Sequence, residues 1–396
     1  MCKKKKRKPN IPRIVMAAVI LLNLLVVGIL ALVLVKAKTS LVDQTAALRY
    51  GNGERFGQVS AFLSKDQRVD AQTIRQLRDT IEKTYLGKST VASFKQGDDG
   101  LAPNLLDSYS AYSTIQLSTD HGSGTFDAIG IGGDFFYFHP LQLVTGNYFT
   151  ESDLMHDYIL LDREAAEKLY GSADIAGMRV SAGDQDLVIA GVYDRKQGEI
   201  DKLAAGGEEP MVFVNYDTLN VISGGGTPTG NSGTGDSSSG SGSGSSGDLG
   251  NTSGGGGASD GTLCITCYEL IGPNPINHFT FDVLKETKVF SETGVQYLEN
   301  SNRFSYARYY ELLKARKSRE MRTDDIALPF WENVARYREG RLMYVALWQW
   351  ILAGGLFLAV FVNVLNFLLR HKPTKKKFEE IVDKIQRKTH HIPERL

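Results

Sequence analysis

Cys264 and Cys267, in the run Leu-Cys-Ile-Thr-Cys-Tyr, are the only cysteines outside the N-terminal region. A Cys-x-x-Cys pair can work as a thiol–disulfide couple or give two soft ligands to a metal. Its redox form usually opens a helix, where the dipole lowers the thiol pKa. Here the neighbours are β-prone. Extended at about 3.3 Å per residue, the two Cα atoms lie roughly 10 Å apart, beyond the ~7 Å that a disulfide tolerates. Three readings stay open, in descending order: two independent strand cysteines, a disulfide across a local turn, and a metal or catalytic pair.

The other reactive side chains are dispersed. His121, His139, His156 and His278 include no pair at the three- or four-residue spacing with which a helix shares a metal. No nucleophile stands beside its base in a motif, and the acids outside the terminal segments are many but unclustered. Gly87-Lys88-Ser89 matches the end of a phosphate-binding loop. That loop needs a glycine five residues earlier, where Glu82 stands, and a preceding strand, where the pattern predicts a helix. A helix C-cap accounts for Gly87. The chain is therefore expected to be no enzyme and to need no cofactor or metal.

Near the C-terminus, Phe378, Ile381, Val382 and Ile385 fall at i, i+3, i+4 and i+7. Residues 374–388 are thus predicted to form an amphipathic helix with a narrow apolar stripe and a basic back. Such a helix lies on an anionic leaflet, or docks its stripe in a groove of a cytoplasmic partner.

The elements that would place this tail are membrane spans. Residues 14–35 carry no charge and one polar side chain, Asn23, and 342–369 form a second uncharged run. About 20 apolar residues cross a bilayer as a helix. The first run is too long for the core of a secretory signal, and no small-residue cleavage site follows it. Seven basic residues and no acid precede it (Lys3 to Arg13), while Arg370, Lys372, Lys375, Lys376 and Lys377 follow the second. The excess of positive charge places both termini in the cytoplasm and predicts a two-pass chain with 36–341 outside. The overall balance of 45 basic and 45 acidic side chains hides this asymmetry, because 36–341 carries a net charge of −12. That favours a soluble outer domain over one lying on anionic lipid, and argues against nucleic acid as a partner.

The predicted domains are a basic N-terminus (1–13), a first span (14–35), an outer domain (36–341), a second span (342–369) and a basic tail (370–396). Residues 36–49 lack Gly and Pro and are expected to continue the first helix outward. A half-buried strand at 58–64 precedes a helix capped by Asp70, with Ile74, Leu77, Ile81 and Tyr85 on one face, and a second β-prone piece lies at 90–94. From about 127 to 217 short β-prone runs (158–161, 178–181, 186–192, 211–215) surround one helix at 163–170, predicting a mostly-β lobe inserted in an α+β one. Residues 223–262 hold 16 Gly and 11 Ser among 40. Such a segment buries too little to offset its ordering entropy and reads as a flexible loop. Beyond it, strands are expected at 263–271 and 294–298, helices at 279–290 and 303–321, and a helix from Asp324, capped by Thr323 and kinked near Pro329, running into the second span. The fold class is membrane α+β.

The order and spacing of several pieces carry a resemblance: Gly130…Asp134-Phe135-Phe136; Leu141…Leu143-Val144-Thr145-Gly146-Asn147-Tyr148-Phe149; Ile159-Leu160-Leu161-Asp162…Ala165-Ala166…Leu169-Tyr170-Gly171…Asp174-Ile175-Ala176-Gly177; and Val188-Ile189-Ala190-Gly191-Val192. This stretch resembles the periplasmic core domain of MacB-type ABC transporter permeases, relatives of FtsX and the lipoprotein-releasing permeases. The resemblance implies a non-enzymatic subunit in a bacterial cell membrane, driven mechanically by a separate ATPase. It implies four spans where two are present, so another permease subunit or a second copy is an expected partner. The alternative function is a membrane-anchored extracellular binding or scaffold protein without ATP coupling.

Overall fold

The computed structural model describes residues 11–51, 55–88, 105–196, 198–204, 210–224, 262–315 and 326–370. The expected strand at 90–94, most of the Gly/Ser segment, the cap at Thr323 and the stripe Phe378, Ile381, Val382 and Ile385 lie outside them. Contacts divide the described chain into Lys38–Arg341 and a second unit drawn from the two ends.

That second unit is helical. Helix α1 (Ile11–Thr39) and the later part of a 41-residue helix, Phe330–Arg370, are long and apolar enough to cross a membrane. Leu21, Leu32 and Phe357 are 68–73% exposed, so these surfaces call for an apolar solvent. Within the unit, the Gln349 amide donates to the Val27 carbonyl at 3.4 Å, which satisfies a polar side chain in an apolar run.

The other unit is built on a mixed sheet, entered through a 3-10 turn (Asp43–Thr45) and α2 (Ala46–Tyr50). The expected continuation of α1 through residue 49 does not occur. Ala46 and Ala47 bury against Phe56, Phe138 and Ile271, and the chain must change direction after Thr39 to bring them there. Next come β1 (Phe56–Leu63), α3 (Ala71–Lys88), the long hairpin β2 (Leu106–Ser118) and β3 (Ser123–Gly133), and a single turn, α4 (Phe135–Phe138). They are followed by β4 (Gln142–Gly146), β5 (Tyr158–Asp162), α5 (Arg163–Tyr170), β6 (Arg179–Ala182), β7 (Gln185–Asp194), α6 (Glu199–Ala204), β8 (Met211–Asn215) and α7 (Tyr216–Ile222). The last elements are β9 (Cys267–Pro273), α8 (Phe279–Glu286), β10 (Val295–Glu299), α9 (Tyr306–Ala315) and α10 (Phe330–Arg370).

Among the described residues the strands form one sheet in the order β10-β1-β9-β2-β3-β8-β5-β7-β4, with β6 against β7. Two pairings are parallel, β3 with β8 and β5 with β7, and the rest are antiparallel. Strand β9 lies between β1 and β2, so chain on the two sides of the Gly/Ser segment is hydrogen-bonded into one ladder. Helices α3 and α8 cover one face through Ile74, Leu77, Ile81, Tyr85, Val283 and Leu284. Around β3, β8 and α4 an aromatic core gathers Phe62, Phe135, Phe136, Phe213 and Trp331. A third core packs α5 on β5 and β7.

Three local expectations need correction. Strand β1 is buried at all eight positions, because its polar side is covered as fully as its apolar one. Gly87 sits inside α3 rather than closing it. Pro329 precedes α10 and accepts from Glu332 and Asn333 N–H, so it starts the helix and does not kink it. Elsewhere α5 and β8 fall where the sequence placed them, and Asp70 caps α3 by accepting from Thr73 N–H at 2.8 Å.

The turn after β4 depends on a glycine. Gly146 has φ +79°, and a Cβ there would meet the Ala190 carbonyl, whereas Gly183 has φ +63° with open space around it. Gly183→Ala should cost the backbone strain alone, about 1–2 kcal/mol, and Gly146→Ala measurably more; parallel denaturant melts of the purified variants check the difference.

Candidate functional site

The polar side of β1 starts a chain of buried polar groups. Gln58 accepts from Ala46 N–H at 3.0 Å and donates to the Asp43 carbonyl at 2.7 Å, fixing the segment that follows α1. One pleat further, Ser60 Oγ donates to Glu269 on β9 at 2.7 Å and accepts from Asn300 Nδ2 at 2.8 Å. Glu269 meets His139 Nε2, and Asp43 Oδ1 lies 3.2 Å from His139 Nδ1. Helix α4 delivers His139 through its His139 N–H to Phe135 carbonyl bond, and the ring packs on Trp331, centroid to centroid 4.2 Å. Lys196 reaches the other Asp43 oxygen at 3.4 Å.

At the far end of the chain, Asn300 accepts from Arg303 at 3.3 Å. Arg303, 1% exposed, forks onto Glu332 at 2.7 and 2.8 Å and donates to Glu339 at 3.1 Å. Both acids are on α10, 2% exposed, and Arg336 also donates to Glu332 at 2.8 Å. The alternating polarity of β1 thus ends at the first turns of the helix that contains the second apolar run.

An imidazole between two carboxylates can donate to both only as the imidazolium, since the neutral ring turns a lone pair toward one of them. Burial works against that charge, but Glu269 and Asp43 outweigh it and raise the His139 pKa to about 9. Burial likewise pushes Asp43 up, yet the hydrogen bond and charge of His139, with Lys196, bring it below its ordinary value. Burial opposes the Arg303 charge, and the two glutamates more than restore it. The array therefore stores fixed, mutually compensated charge.

It does not form an acyl-transfer triad. Such a triad needs the serine hydroxyl on the imidazole, and here Glu269 stands between Ser60 and His139. In this structure Cys264 and Cys267 are not bonded to each other: Cys264 precedes β9, while Cys267 opens it inside the aromatic core. Burial, with the charges of Glu269 and Glu332 nearby, pushes the Cys267 thiol far above its ordinary range, away from the reactive thiolate. The remaining histidines are apart, His156 near Asp217 and His278 against Glu299, and no group that could hold a metal occurs among the described residues.

Beside His139 opens a cavity of about 1050 Å³, whose floor includes Leu41, Phe135, Met211, Phe213 and Trp331. Charged side chains of β7, α6 and α10 line it as well. Sequence reasoning named His139 but set it aside as isolated, and missed Asp43, Glu269, Arg303 and Glu332. A signal was present: Gln58, Ser60 and Glu269 are polar positions inside otherwise apolar strands.

A family model described as the MacB-like periplasmic core domain matches residues 14–234. Among solved structures, the extracellular domain of the noncanonic ABC-type transporter YknZ from Gram-positive bacteria aligns at 14% identity and TM-score 0.33, over 61% of this chain and 99% of that one. The periplasmic region of MacB from Actinobacillus actinomycetemcomitans aligns at 13% and 0.37, over 69% and 99%. A domain of a putative permease from Porphyromonas gingivalis aligns at 13% and 0.30, over 62% and 89%. No curated protein matches the sequence.

Two predictions follow the charges. The folded-state pKa of His139 lies above the ordinary value of about 6.5, so the folded protein holds the extra proton and its stabilisation is complete below that pH. As pH rises through about 9, on the order of 3 kcal/mol should be lost, and His139→Gln should flatten that part of the profile in melts from pH 6 to 10. Arg303→Met takes from Glu332 its forked partner and from Glu339 a donor at 3.1 Å, leaving Arg336 and Arg308 to face them, and should cost about 3–5 kcal/mol; adding Glu332→Gln and Glu339→Leu should recover part of it in the same melts.

Proposed function

The chain belongs to the MacB-like periplasmic core domain family, and from that premise we propose that it is a membrane subunit of an ABC-type transport system whose ATPase is a separate polypeptide. Two candidate spans and the family fit a cell-membrane protein. In this reading it passes the bilayer twice, with 1–13 and 370–396 in the cytoplasm and 36–341 outside. The stretch from about 127 to 217 is the inserted lobe, and 223–262 is a tolerated loop. A second copy or another permease subunit completes the membrane portion.

One observation carries the mechanical part. Helix α10 contains both the acids gripped by Arg303 and the apolar run that would cross the membrane. Sliding that helix against the sheet would pull both acids off the buried Arg303 at a cost of several kcal/mol. Displacement of the helix would therefore carry the sheet along. Gln58 and the Asp43–His139 pair give the segment after α1 a comparable hold.

The motor would bind the stripe Phe378, Ile381, Val382 and Ile385. Affinity purification of the full-length protein from membranes should recover an ABC-type ATPase, and Ile381→Glu with Ile385→Glu should abolish its recovery while membrane insertion persists. Unchanged recovery removes the docking role. Full activity after deletion of 374–396 would instead favour an anchored extracellular scaffold.

A further inference from the structure

We propose that the cavity beside His139 binds a single-chain, zwitterionic phosphate-bearing amphiphile, a molecule of the lysophospholipid class. This goes beyond ATP coupling and does not depend on it. Its volume of about 1050 Å³ is at the upper end of the roughly 300–1,000 Å³ of small-molecule sites, enough for one acyl chain with its head. Leu41, Phe135, Phe213 and Trp331 make an apolar bed for such a chain, and Leu203, 74% exposed on α6, extends it to the mouth.

The charges at the rim select the head. Most are already spent on one another: Asp43 on His139 and Lys196, Glu164 on Arg195, and Asp194 on Arg163. Among the described residues Lys202 and Arg338 have no carboxylate partner; Arg338 donates to Ser40 Oγ at 3.4 Å. Asp201 has no cationic partner, and Glu164 shares Arg195 with Asp162. A phosphate suits the two cations and an ammonium suits the acids. The indole N–H of Trp331, a buried residue of the lining, has no acceptor, and an ester or hydroxyl oxygen of the ligand would satisfy it. The lining also comes from positions next in sequence to the candidate spans: Ser40 and Leu41 just after α1, and Val334 and Arg338 on α10 ahead of its apolar run. A lipid-derived molecule would be at hand there.

The test uses the full-length protein in a polymer belt free of detergent. Trp348→Phe and Trp350→Phe leave Trp331 as the single tryptophan of the three. Lysophosphatidylcholine with a brominated acyl chain should quench its fluorescence saturably, at about one equivalent, and unbrominated lipid should reverse the effect. Val334→Phe, which fills the cavity, and the exposed-site change Leu203→Glu should each weaken binding about tenfold, and Lys202→Ala with Arg338→Ala should do the same. Absence of saturable quenching overturns the proposal, as does an unchanged midpoint in Leu203→Glu together with the Lys202/Arg338 pair. A brominated fatty acid binding at the same midpoint overturns the assignment of the head.

Discussion

A charge removed from water must find its counter-charge within the fold, and Arg303 governs this molecule for that reason. Its side chain is 1% exposed, and its carboxylate partners lie on a helix distant in sequence. Whatever holds β10, the turn after it and α10 together must satisfy this one group. Apolar contacts tolerate sliding, since one methyl replaces another at little cost. A forked ion pair without water has a single register.

The same constraint recurs along the array. Asn300 hands the network from Arg303 to Ser60, Ser60 to Glu269, Glu269 to His139, and His139 to Asp43. With the grip of Arg303 on Glu332 and Glu339, the chain of polar groups ties β1, β9, α4, α10 and the segment after α1 into one body. The apolar cores fill the volume around that array without fixing the helix registers so narrowly. The cavity lies where the polar array meets the aromatic core, which gives it an apolar floor beneath a charged mouth.

Much of the local structure was legible because it is local. The face of α3 follows from Ile74, Leu77, Ile81 and Tyr85, its start from Asp70, and α5 from the run Arg163 through Tyr170. Both apolar runs are legible because about 20 uncharged residues have few other uses. What misled was also local: 36–49 lacks a helix breaker, and the burial of Ala46 and Ala47 with the Gln58 hydrogen bonds turns the chain there. Strand β1 looked half-buried because Gln58 and Ser60 are polar, whereas they face other polar groups and not solvent.

The sequence by itself determined the two apolar runs, most helices and strands between them, and the family resemblance in 127–217, since each depends on period, length or short-range order. Tertiary structure alone decided that the strands join one sheet with β9 slotted between β1 and β2, and that Asp43, His139, Glu269, Arg303 and Glu332 meet. Those five residues are separated by up to 289 positions, and each in isolation reads as an ordinary surface charge. Ion pairing acts through space at about 3 Å and leaves no periodicity along the chain, so it becomes visible only when the fold has brought the partners together.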